Sequence, residues 1–160
     1  MARYVPEGTV EVWLVLTISD PAAPTATELN AGTALEGEMI GDLVLPFEGS
    51  TADASDASSR FNKTAPGDFG GAPGSFTIHK EKLLADDTVF TALERDVEGF
   101  LAIAVRGLTL AGTWAIGDEA DIWPITVLSR EIQYARNTTL RAGIQVAITD
   151  VPDLDFVLVA

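Results

Sequence analysis

The chain contains one histidine, His79, in the stretch TIHKEK with Lys80 and Lys82 beside it. An imidazole can relay a proton or ligate a metal, but either task needs carboxylate, serine or further histidine partners gathered around it. Asp53 and Asp56 in STADASDASS offer carboxylate oxygens to a hard cation, yet the stretch lacks the alternating ligands, central glycine and distal glutamate of a calcium loop. GDFGGAPGS (67–75) is glycine-rich in the manner of phosphate-cradling loops. It carries no Lys-Ser/Thr and leads into a strand-like segment instead of a helix, so close backbone approach is the better reading. Two sequons, NKT (62–64) and NTT (137–139), carry weight only beside a secretion signal, and MARYVPEGTVEV does not have the pattern of one. Trp13, Trp114 and Trp123 could build a sugar platform, but scattered tryptophans in a β-rich chain more often fill a core. With no cysteine present, thiolate metal sites, disulfides and cysteine nucleophiles are excluded. These residues imply a chain without catalytic machinery, metal or cofactor.

Charge is more informative. Asp and Glu number 24 against 10 Lys and Arg, giving a formal net charge of −14. Surfaces that grip phosphate backbones do so through Lys and Arg that displace counterions, so the balance argues against a DNA-gripping surface. Acidity either serves solubility or makes a surface that polyanions pass without adhering. The longest apolar runs, VWLVL (12–16) and FLAIAV (100–105), fall far short of the ~18 residues of a membrane-spanning helix, which predicts a soluble protein with no membrane partner. A length of 160 residues suits a single domain with one core.

The elements that must position any site are mostly strands. TVEVWLVLTI (9–18) alternates Val10, Val12, Leu14, Leu16 and Ile18 against Glu11, Trp13, Val15 and Thr17, which predicts a strand with an apolar face. SDPAAPT (19–25) ends it, and TATELNAG (25–32) predicts a helical turn or two closed by Gly32. EGEMIGDLVLPFE (36–48) reads as two short strands or one bent strand, with a bulge at Gly41 and an edge marked by Pro46. Residues 49–74 show no strand or helix periodicity and read as a long loop with Phe61 and Phe69 embedded. SFTIHK (75–80) resumes as a strand, and DDTVFTALE (86–94) predicts a short helix capped by Asp86 or Asp87. GFLAIAVRG (99–107) reads as a buried central strand. EADIWPITVLSREI (119–132) and TTLRAGIQVAIT (138–149) are the longest strand candidates, an antiparallel pair with one wet face carrying Arg141, Gly143 and Gln145. LDFVLV (154–159) is a last strand. The fold class is mainly β, an antiparallel β-sandwich or barrel with one flanking α-helix.

Three stretches go further. MARYVPEGTVEVWLVLTISDPAAPTATELNAGT (1–33), APGDFGGAPGSFTI (65–78) and VAITDVPDLDFVLVA (146–160) resemble the tail tube, or major tail, proteins of long-tailed bacteriophages, particularly those of actinobacterial hosts. The resemblance implies a single tail-tube domain over 1–160, an N-terminal arm at 1–8 and a long inter-subunit loop at 49–74. It implies self-assembly into homohexameric rings that stack into a hollow conduit for genome ejection. It further implies contacts with terminator, tape measure and distal tail proteins, transient non-sticking passage of DNA, and residence in the virion tail after assembly in the host cytoplasm.

On that resemblance, Phe61, Phe69, Asp53 and Asp56 are candidates for contact between rings. The arm at Ala2–Gly8 and the strand at Leu154–Val159 are candidates for contact between subunits. Asp42, Glu48 and Glu131 are candidate acids of the bore. The competing readings are another virion protein such as a terminator or decoration protein, a contractile secretion tube, and a carbohydrate-binding β-sandwich.

Overall fold

A computed structural model describes residues 10–53, 64–83 and 85–158. The first strand, β1 (Glu11–Val15), is buried on both faces: Val12 and Leu14 enter one apolar cluster and Trp13 and Val15 another. A strand covered on both sides needs apolar residues at successive positions, which is what VWLV supplies. It is shorter than the expected 9–18. α1 (Ala26–Asn30) follows. Its start is fixed by a capping box, in which the Glu28 N–H donates to the Thr25 hydroxyl at 3.3 Å and the Thr25 N–H donates to the Glu28 carboxylate at 2.9 Å. Hydrogen bonds from Ser19 and then Thr25 bring the Glu28 carboxyl from 4.5 to about 2. Gly32 then lets the chain pass closely, since a Cβ there would lie 2.7 Å from the Leu14 carbonyl oxygen.

The remaining elements are β2 (Thr33–Ala34), β3 (Met39–Val44), β4 (Glu48–Asp53), β5 (Thr64–Gly70), β6 (Gly74–His79), α2 (Thr88–Ala92), β7 (Glu98–Ala104), β8 (Glu119–Gln133), β9 (Arg141–Ile148) and β10 (Asp153–Val157). One sheet runs β2-β1-β7-β8-β9-β6-β3, with β10 adding to β8, and every pairing is antiparallel. This sheet folds on itself. Val12, Leu14, Leu101 and Ile103 of β1 and β7 share a cluster with Phe76, Ile78, Ala142, Ile144 and Val146 of β6 and β9, so the two wings face each other as a sandwich. The outer side of the β1–β7 wing carries the other cluster, where Leu29 of α1, Trp114 and Leu158 cover Trp13, Val15, Ala102, Ala120 and Ile122.

The structure revises several expectations. The segment 49–74 is not an uninterrupted loop: β4 and β5 pair as a separate two-stranded hairpin, with Glu48 opposite Gly70 and Asp53 opposite Thr64. Small polar residues can form strands when a hairpin extends strands already paired, as β3 and β6 are. The C-terminal strand, expected to add to another subunit, pairs with β8 of its own chain, opposite Ile122, Ala120 and Glu119. Leu158 is buried there, locked by its N–H to the Asp118 carbonyl at 2.9 Å. The helix expected at 86–94 is confined to α2, and the Asp87 carboxylate pairs with Lys80 instead of capping the helix. Gly41 is the predicted bulge, with φ of +74°, inside a register shift between Ile40 and Val44, and β3 is the edge strand that Pro46 announced.

The connection from β7 to β8 is held by polar bonds. Asn30 grips the Trp114 backbone twice, its Nδ2 donating to the carbonyl at 2.9 Å and its Oδ1 accepting the N–H at 2.8 Å. The Trp114 ring meets Trp13 edge-on at 6.5 Å. Buried Asp118 accepts from the Thr109 hydroxyl at 2.5 Å, the Thr109 N–H at 3.0 Å and the Ala115 N–H at 2.8 Å. Burial pushes its carboxyl up, but the bonds from Thr109 and Ala115 outweigh that and hold it below 3.8. We predict that Asp118→Ala lowers the unfolding free energy by about 1–3 kcal/mol at neutral pH, measured by denaturant melts. A carboxyl depressed in the folded state stabilises above its unfolded value of 3.8 and loses that contribution as pH falls through the lower folded value. The gap between wild type and variant should therefore narrow on acidification below about pH 4, and a gap that stays constant would refute the assignment.

Candidate functional site

The wing formed by β8, β9, β6 and β3 buries one face and leaves the other polar. On β9, Ala142, Ile144 and Val146 point inward, so Arg141, Gly143 and Gln145 point outward. On β6, Phe76 and Ile78 are buried and Ser75, Thr77 and His79 lie opposite. Register aligns these into rows: Glu131 with Gly143 and Thr77, Ser129 with Gln145 and Ser75, Gln133 with Arg141 and His79. The Ser129 hydroxyl donates to Gln145 at 3.3 Å across the strands. The Gln133 side chain lies over Gly143, where a Cβ would meet its Nε2 at 2.8 Å.

A shallow groove of about 210 Å³ runs over this face, bordered by Asp42, Ser75, Thr77, Glu131, Gln133 and Gln145. The structure thus brings Asp42 and Glu131 together, although they are distant in sequence. Glu48 is exposed at the start of β4 and does not join them. Asp53 closes β4, and Phe69 stands opposite Gly49 in β5. Asp56, Phe61 and the arm at 1–8 lie outside the described residues. Most of the face is uncharged. His79, weighed in the sequence only as a proton relay or metal ligand, and Arg141 and Gln145, read there as the wet face of β9, join the serine and threonine rows of this face, which the odd-numbered alternation in β6 and β9 marks.

Behind this face α2 is fastened to the same wing. The Lys80 ammonium sits 3.6 Å from the Phe90 ring centroid and pairs with Asp87, while the Arg130 guanidinium lies 4.4 Å from that centroid and donates to the Phe90 carbonyl at 3.0 Å. Trp123 is packed edge-on against Phe47 at 6.5 Å. With Trp13 and Trp114 buried, the three tryptophans form no platform. Among the described residues no group of His, Asp and Glu is placed to hold a metal.

Among the described residues the wing also ends in two unpaired edges, and β3 pairs only with β6. β8 pairs with β7 from Asp121 to Thr126 and then, through Val127, with the Val97 carbonyl and the Asp96 N–H. Beyond that point residues 128–133 pair with β9 alone among the described residues. A four-stranded polar face whose edges are unpaired among the described residues is the kind of surface through which a structural subunit can assemble.

Comparison with known proteins agrees. The whole chain, residues 1–160, matches the sequence model of the family described as "Phage tail tube protein". The chain belongs to the phage tail tube protein family, and so is a structural protein of the virion tail and not an enzyme. Among solved structures it is similar to a chain of the tail of an empty GTA particle with C6 symmetry, at 10% identity and a TM-score of 0.56, covering 96% of this chain and 98% of that one. A chain of the native gene transfer agent virion gives 9% identity and a TM-score of 0.59, covering 94% and 98%. A chain of the 6-fold symmetrised baseplate of the anti-feeding prophage gives 11% identity and a TM-score of 0.53, covering 94% and 95%. At such identities the likeness is one of fold. No curated protein sequence matches.

Asp42 and Glu131 are both exposed. Neutralising them together, as Asp42→Asn with Glu131→Gln, is expected to change the unfolding free energy by no more than about 0.5 kcal/mol. A thermal melt checks this, and a large loss would mean that the pair serves the fold instead of the face.

Proposed function

We propose that six copies of this chain close into a ring whose bore is the polar face of β8, β9, β6 and β3, and that rings stack into the conduit through which the genome leaves the particle. The observation that carries this reading is the pair of free edges. Four antiparallel strands alternate in direction, so the free edge of β3 in one copy runs antiparallel to the free edge of β8 in the next. Closure removes edges that would otherwise invite uncontrolled pairing. The sixfold symmetry of the gene transfer agent tail and of the anti-feeding prophage baseplate supports six copies.

Six wings would give a barrel of twenty-four strands. At a spacing of ~4.8 Å and a tilt of ~40° its backbone would be about 45–50 Å across. That leaves room for a duplex once side chains are subtracted.

Charge in such a bore would be modest. Asp42 and Glu131 share the face with Arg141, and the rest is hydroxyl and amide except at β3, where Ile40 and Val44 stand opposite Thr77 and Ser75. The chain's −14 therefore sits mainly elsewhere, and the bore avoids DNA by presenting no array of cations, with the two acids adding repulsion. The β4–β5 hairpin, carrying Asp53 and Phe69 and continuing through Asp56 and Phe61, would reach the neighbouring ring, with the arm at 1–8 as a second contact. Terminator, tape measure and distal tail proteins would meet the two ends of the tube, and assembly would take place in the host cytoplasm.

Negative-stain electron microscopy of the purified protein over a concentration series tests the assembly. Hollow filaments are expected. Single rings that never stack would favour a terminator, and a persistent monomer whose tryptophan fluorescence responds to sugars would favour a binding module. For the bore, Asp42→Lys with Glu131→Lys should leave tubes intact and slow DNA ejection from reconstituted particles. Asp20→Lys, in the turn before α1, should not. Ejection at the wild-type rate from the doubly reversed tubes would remove the two acids from the mechanism.

A further inference from the structure

Resting on the ring proposed above, the structure points to the side chains that lock one copy to the next. Behind the edge of β3 opens a largely apolar groove of about 640 Å³, lined by Val10, Val12, Met39, Leu43 and Val44, with Gly41 and the acids Glu36 and Asp42 at its border. It is the open mouth of the sandwich, where the β1 wing and the β3 edge part. Of the two acids Glu36 is the one left unsatisfied: its Oε2 is buried and has no hydrogen-bond partner among the described residues. A buried carboxylate oxygen without a partner is costly and calls for a donor from elsewhere.

The free end of β8 carries the complement. Past the bulge between Val127 and Ser129, Ile132 turns to the same side of the sheet as Arg130, away from the polar face. It has run beyond the cover of β7 and is 49% exposed. Arg136, just past the strand, is exposed and makes no ion pair among the described residues.

Levels agree as well. Gln133 aligns with Arg141 and His79, and the His79 N–H donates to the Glu38 carbonyl at 2.7 Å. The end of β8 and the start of β3 therefore lie at the same height in the wing. An antiparallel neighbour would bring Ile132 beside Met39 and Arg136 toward Glu36.

We propose that the occupant of this groove is the β8 end of a second copy of the chain, with Ile132 seated on Met39, Leu43 and Val12 and Arg136 paired with Glu36. The contact joins an apolar knob to an apolar mouth, and a cation to an acid, each without an ion pair among the described residues, and it lies on the two edges the ring must join.

The chain's lack of cysteine makes a direct test available. In one chain β8 and β3 are separated by β9 and β6, so they stand roughly 14 Å apart, beyond the ~7 Å limit for a disulfide. Any bridge between Ile132→Cys and Met39→Cys, or between Ile132→Cys and Leu43→Cys, must join separate copies. Oxidation of assembled protein should give a ladder of multimers on non-reducing gels for at least one of these pairs.

Ile132→Asp should raise the concentration needed for assembly by on the order of tenfold or more. Glu36→Arg and Arg136→Glu should each impair assembly, and the two together should restore it. Circular dichroism of the monomers separates failure to assemble from failure to fold. Wild-type tubes with no ladder, unaffected by Ile132→Asp, would overturn the contact and leave the tube intact. A ladder from Tyr4→Cys with Leu43→Cys, in place of Ile132→Cys, would give the groove to the N-terminal segment. Wild-type protein that never assembles would remove the ring and this contact together.

Discussion

Fifteen residues of β8 belong to both wings of the sandwich, and the bulge between Val127 and Ser129 allows it. Before the bulge the odd-numbered Ile125 and Val127 are buried. After it the alternation reverses: the even-numbered Arg130 reaches Phe90 behind the sheet, and the odd-numbered Glu131 joins the polar groove. A bulge that inserts one residue flips every side chain beyond it to the other face. Without it, continued alternation would drive Glu131 toward the core and turn Arg130 outward. The polar face, the clamp on α2 and the exposed Ile132 all depend on this one irregularity.

The two wings do different work. In the β1–β7 wing both faces are covered, the outer one by α1, the 105–118 connection and Leu158. Its polar groups are paired inward, Asn30 to the Trp114 backbone and Asp118 to Thr109 and Ala115. Among the described residues the β8–β9–β6–β3 wing is covered on one face only, and its edges stay open. The wing covered on both faces is packed within its own chain, although the buried Trp114 Nε1 finds no partner among the described residues, and the half-covered one leaves a surface to solvent.

Legibility in the sequence followed this division. β8 and β9 could be read because alternation persists over many residues, and β7 because an apolar run bounded by glycines marks a buried strand; β1 was legible as a strand with one apolar face, whereas both of its faces are covered. Gly41 and Pro46 correctly marked the irregular edge. β4 and β5 could not be read, since threonine, alanine, serine, aspartate and glycine carry no alternation and their pairing is inherited from β3 and β6. The C-terminal strand was legible as a strand but not as a partner of β8, because pairing partners are tertiary facts. Asp42 and Glu131 each interrupt a strand-like stretch in the sequence. That they share one groove follows from register, and Glu131 reaches it only through a bulge that no alternation pattern displays.

An open edge is a liability in any soluble chain, and here the protections sit where orderly assembly can overcome them. The bulge at Gly41 distorts the β3 edge against casual pairing. A net charge of −14 on every copy sets a repulsive background that screening over a Debye length of about 8 Å at physiological salt only partly removes. Two like-charged subunits therefore gain from meeting only where a local contact outweighs the general repulsion. In the proposed contact, exposed Ile132 on one edge and Glu36 on the other, whose Oε2 has no donor among the described residues, meet this need. Because each acts on a different copy, the pairing is head-to-tail, and a head-to-tail contact closes into a ring when its rotation permits. In the ring proposed above, a net charge that keeps loose subunits apart is compatible with a bore that holds few charges, since repulsion among monomers needs only the total and passage of a polyanion depends on the face it meets.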